Sequence, residues 1–79
     1  MRPPEDPQTT LGAVLRALRA DQKVTQRAIA KKADISYAQY RAIENGKANP
    51  LYGTVKRIAK AFSVTVTEIS KREEAQSVD

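Results

Sequence analysis

Thr25 and Ser36 both read as helix N-caps, and their separation leaves room for only one short helix between them. A Thr or Ser hydroxyl in that position accepts from a free amide of the first helical turn. The first helix of this pair is expected from Gln26 to about Lys32 or Ala33, with Ala28, Ile29 and Ala33 turned inward. The small Ala30 lets a neighbouring helix come close. Asp34 and Ile35 then form the turn, and Asp tolerates the left-handed backbone that such a turn needs. From Ser36 a second helix is expected over Tyr37 to about Asn45, closed by Gly46, the usual residue just past a helix end. So brief a junction cannot bring two helices antiparallel, and they must cross at a steep angle.

The flanking segments carry the same helical period. Leu11, Val14, Leu15 and Leu18 recur at i, i+3, i+4 and i+7, which predicts a helix from about Thr10 to Asp21. Gly46 to Pro50 reads as a loop. A fourth helix is expected over about Leu51 to Phe62, with Leu51, Val55, Ile58, Ala59 and Phe62 inward. A fifth, carrying Ile69, should begin after Thr65 or Thr67 and fray into a polar tail over 71–79. Val64 and Val66 would pack beneath it. Residues 1–9 are proline-rich and polar and read as a flexible arm, which leaves 10–70 as one domain. The expected fold class is therefore all-α, a compact five-helix bundle of local contacts.

Composition narrows the function. The 79 residues contain no Cys and no His, so thiolate metal sites, disulfides and His-dependent nucleophiles are excluded. Gly12, Gly46 and Gly53 are too far apart for a phosphate-cradling loop. An enzyme is not expected, nor a cofactor, a metal or a small-molecule ligand. The first ten residues form neither an apolar signal core nor a membrane span, so a cytoplasmic, nucleoid-associated protein is expected. The net charge is +5, but between Leu11 and Thr65 there are 11 Lys plus Arg against 3 Asp plus Glu. A basic centre between mildly acidic ends suits a polyanionic partner.

The run Thr-Gln-Arg-Ala-Ile-Ala-Lys-Lys-Ala-Asp-Ile-Ser from Thr25, followed by Ile43-Glu44-Asn45-Gly46-Lys47 and Asn49-Pro50, resembles the Cro/phage-repressor (xenobiotic-response-element) helix-turn-helix family. The likeness extends from about Leu11 to Ile69. It implies a lambda-repressor-like domain that binds double-stranded DNA as a homodimer and reads the major groove with its third helix. By this resemblance the base readers fall on Tyr37, Ala38 and Ala42, with Gln39 and Arg41 close by. Arg41 suits guanine and Gln39 adenine, while the methyls of Ala38 and Ala42 suit thymine. Phosphate contacts are expected from Gln26, Arg27, Ser36, Asn45, Lys47 and Asn49. Lys31 and Lys32 would add only general attraction.

The resemblance also pairs Glu44 with Arg19 as an internal ion pair. Tyr40 stands where the family has Ile or Val; three residues before Ile43, it should be a core residue with its hydroxyl at the edge. Val66 and Ile69 are the expected dimer surface, with Phe62 and Val64 closing the monomer core. Asp34 replaces the family's turn glycine and Ala42 a longer reader, so specificity should rest in part on DNA shape. Promoter occlusion is the expected mode of action. The rival expectation is an antitoxin or coactivator-like module whose acidic end, with Glu73 and Glu74, meets a protein partner.

Overall fold

The structure, a computed structural model, describes residues 7–77. Five helices follow one another: α1 (Pro7–Gln22), α2 (Gln26–Ala33), α3 (Tyr37–Glu44), α4 (Tyr52–Ala61) and α5 (Val66–Ser77). Helix α1 packs on α3 and α5, α2 packs on α3 and α4, and α4 meets α5. All five contribute to one core, in which Val14, Leu15, Ile29, Tyr40, Ile43, Ile58, Phe62 and Ile69 are almost wholly shielded. The expected five-helix, all-α architecture is the one observed.

Three helices start on the same device. The hydroxyls of Thr25, Ser36 and Thr65 each accept from the backbone amide three residues on, at 3.0 Å in every case. Helix ends are equally uniform. Lys23, Asp34, Gly46 and Ser63 all have left-handed backbones, with φ between 56° and 76°. Just beyond each, an amide reaches back five residues: Val24 to Arg19, Ile35 to Ala30, Lys47 to Ala42 and Val64 to Ala59, at 2.8 to 3.1 Å. This bond satisfies a carbonyl that the helix leaves orphaned. After three of these turns the chain presents Val24, Ile35 or Val64, and each packs on the core.

Several boundaries differ from expectation. Helix α1 begins at Pro7, three residues before Thr10, so it takes in the end of the segment read as an arm; residues 1–6 lie outside the described residues. Proline is favoured at a first helical position, where its missing N–H is not needed. Helix α5 runs through Ser77, so 71–77 is helix and not a fraying tail. Leu51 does not face inward. It precedes α4 on extended backbone and is 79% exposed, because the helical period that places Val55 and Ile58 does not extend to a residue outside the helix. Ala28 is also exposed, and Ala30 takes its place in the core beside Ile29 and Ala33.

Candidate nucleic-acid interface

The C-terminal end of α3 is held by one carboxylate. Glu44 is 1% exposed, and its oxygens are met by donors from three helices. Arg19 of α1 donates through Nε to Oε2 at 2.8 Å and through Nη2 to Oε1 at 2.9 Å. Gln26 of α2 donates to Oε1 at 2.8 Å, and the Tyr40 hydroxyl of α3 itself donates to Oε2 at 2.7 Å. Burial alone pushes the Glu44 carboxyl up, but Arg19, Tyr40 and Gln26 together outweigh it and hold the group below the usual carboxylate range. The hydrogen bond from Arg19 to Glu44 likewise raises the guanidinium against the opposing effect of burial. Burial, then the bond to Glu44, pushes the Tyr40 hydroxyl well up, so it remains a donor. The Arg19–Glu44 pair expected from the sequence is therefore present and bidentate, the strong geometry for such a pair.

Two further contacts fix the same junction. The Arg16 guanidinium donates to the Glu44 carbonyl at 2.8 Å. Gly12 faces that carbonyl so closely that an added Cβ would collide with it. A glycine inside a helix costs about 0.5–1 kcal/mol relative to alanine, and this close crossing is what it permits. Arg16 does not stand out from its neighbours in sequence. The lone glycine inside an apolar helical stripe was the available signal.

The opposite side of α3 is open. Ala38, Gln39 and Arg41 are exposed, and Tyr37 and Ala42 are half-buried. Arg27 of α2 lies over the Tyr37 ring with its guanidinium carbon 4.0 Å from the centroid, and Arg41 lies 5.7 Å from the same centroid. Both fall within the roughly 6 Å range of cation–π attraction. Arg16, Thr25, Gln26, Arg27 and Asn45 border one open concavity at the start of α2. A helix start carries unpaired amides and a partial positive charge, so that concavity suits an anion. Lys47 and Asn49 are exposed on the loop after α3, outside this concavity.

Some expected roles change in detail. One amide hydrogen of Gln26 is already committed to Glu44, so only the remainder of that side chain can face an anion. The Ser36 oxygen caps α3 and has its own hydrogen left to donate. Ile69 is 1% exposed and belongs to the core of the bundle, so the monomer itself covers it and it is not available to a second copy. Val66 is half-buried against the core, as are Val64 and, more completely, Phe62. Among the described residues, the exposed large apolar side chains are Leu51 and Tyr52, at 79% and 67%. Glu73 is half-buried on α5, with its carboxyl raised by burial, rather than on a loose acidic tail.

With this geometry in place, comparison with known proteins is decisive. A helix-turn-helix family model matches residues 15–69. The chain belongs to the helix-turn-helix family, of the Cro/phage-repressor type. Among curated relatives, the immunity repressor protein of Bacillus phage phi105 is 33% identical over 60 residues, which is 76% of this chain. The chain spans 42% of that relative's length. Among solved structures, the clp gene regulator ClgR of Corynebacterium glutamicum superposes with a TM-score of 0.87 at 23% identity, covering 95% of this chain and 97% of that one. The restriction-modification controller protein C.Esp1396I gives 0.86 at 16% identity, over 96% and 97%. Its tetramer in complex with its natural 35 base-pair operator gives 0.83, over 92% and 96%. These likenesses establish the fold. Among the described residues, no helix is long and apolar enough to cross a membrane.

Proposed function

We propose that this helix-turn-helix chain is a sequence-specific, double-stranded DNA-binding transcriptional regulator, and that it represses by occupying a promoter. The observation that carries the reading is the outer face of α3. Its exposed side chains include Gln39 and Arg41, its own acid Glu44 is buried and neutralised by Arg19, and Arg16, Arg27 and Lys47 lie around it against one exposed acid, Asp34, in the turn before it. A helix of this kind fits the major groove, which is about 12 Å wide. Gln26, Ser36, Asn45, Lys47 and Asn49 serve as phosphate contacts that fix register without reading sequence. The proposed protein binds and carries out no catalytic step, and it acts in the cytoplasm where the DNA is.

A homodimer on a partly palindromic site completes the proposal. Its contact surface is the exposed Leu51–Tyr52 pair at the start of α4, which takes the place of the buried Ile69 and the core-packed Val66. The likeness to a controller protein solved as a tetramer on its operator supports an oligomeric reading. The test is selection of bound DNA from a random pool by the purified chain. Enrichment of a sequence with two related half-sites, bound with an affinity that falls steeply with salt as counterions are released, is the expected result. A pool that stays random, or a flat salt dependence, overturns the proposal.

A further inference from the structure

Arg27 and Arg41 stand on different helices and carry the same charge, yet both lie over the ring of Tyr37. Two exposed guanidinium groups repel each other, and holding a long Arg side chain in one place costs rotamer freedom. The electron-rich face of an aromatic ring opposes both costs. An anion grip gains little from such an arrangement, since general attraction to a phosphate works from many geometries. Base reading gains much. A guanidinium attracted to a ring keeps its N–H donors for other partners, and their fork matches O6 and N7 of guanine. Tyr37 lies in the first turn of α3, the part of a recognition helix that meets base edges.

We propose that Arg27, from α2, reads a guanine alongside Arg41, and that Tyr37 is the positioning residue that holds both guanidinium groups for this purpose. This rests on the DNA-reading function proposed above and moves Arg27 from the phosphate-gripping set to the base-reading set. One consequence is specific to the arrangement. The sequence preference of this chain depends on a side chain of the helix that precedes the recognition helix.

The experiment selects DNA from a random pool with the full chain and with Arg27→Lys, Arg41→Ala, Tyr37→Phe and Tyr37→Leu, each checked for an unchanged thermal midpoint. Arg27→Lys keeps the charge and, at the surface, the fold. It should nevertheless lose one guanine preference by about 5- to 150-fold, while the salt dependence of binding stays the same. Arg41→Ala should lose a different guanine, Tyr37→Leu both, and Tyr37→Phe neither. If Arg27→Lys keeps the full preference, or Tyr37→Leu leaves the selected sequence unaltered, the inference is overturned and DNA binding still stands. If the unaltered chain enriches nothing, the proposed function itself has failed and this inference with it.

Discussion

Tyr37 and Tyr40 lie three residues apart on the same short helix and have opposite surroundings. Tyr40 is 0% exposed, and its hydroxyl is spent on the Glu44 carboxylate. Tyr37 is half-buried, and its ring meets two arginines in an open setting. Tyr40 is held by a charge-assisted hydrogen bond inside the protein, Tyr37 by a softer attraction at its edge. The difference divides α3 lengthwise: its inner side fixes where the helix lies, and its outer side determines what the helix can touch. Substitutions should therefore separate into those that change stability and those that change recognition.

The largest expected effect tests the inner side. Glu44→Ala strips the buried Tyr40 hydroxyl, the Gln26 amide and the partly exposed Arg19 of their shared acceptor, and it should cost about 3 kcal/mol. Urea denaturation measures it, and a loss below about 1 kcal/mol would contradict the assignment of Glu44 to architecture. The same group makes stability depend on pH. Because its carboxyl is held below the ordinary range in the folded chain, its contribution is complete above about pH 5 and drains away as pH falls through the lowered value. Glu44→Gln should flatten that acid limb; an unchanged acid limb would remove Glu44 as its source.

Next comes the tyrosine pair itself. Tyr40→Phe deletes a donor to a buried carboxylate and should cost about 1.5–3 kcal/mol. Gly12→Ala sets two effects against each other. Alanine favours the helix by about 0.5–1 kcal/mol. The added methyl, however, meets the backbone carbonyl of Glu44, which cannot swing aside, and overpacking of that kind costs about 1–3 kcal/mol. A net loss of stability is expected in thermal unfolding, and a gain would mean that α1 and α3 can separate freely. The smallest effect belongs to the outer side: Tyr37→Phe should change stability by no more than about 0.5 kcal/mol. An equal loss from Tyr37→Phe and Tyr40→Phe would erase the distinction between the two sides of the helix.

Much of the fold was legible because the signals were local. The caps at Thr25 and Ser36, the left-handed Asp34 and the closing Gly46 each act within one turn, and each appears where the residue type demands it. The left-handed Lys23 and Ser63 carry no such signature, since neither residue type favours that backbone. There the pull comes from outside the turn, from Val24 and Val64 packing on the core. The Arg19–Glu44 pair followed from family likeness, whereas the parts played by Gln26 and Arg16 around the same carboxylate depend on how three helices meet. The Arg27–Tyr37–Arg41 cluster was hidden because the short turn implies that α2 and α3 cross steeply without saying which side chains meet across them. Leu51 misled because apolar spacing continued past the point where the helix begins.

The Glu44 carboxylate has a consequence for how the chain assembles. Its partners arrive from α1 and α2 as well as from α3 itself, so a half-formed state that kept the carboxylate covered with α1 or α2 undocked would enclose a charge with too few donors around it. Intermediates are thereby penalised more than either the fully formed or the fully open chain. One ionised side chain thus ties the docking of α1 and α2 to that of α3, adding to the all-or-none unfolding that small single domains ordinarily show.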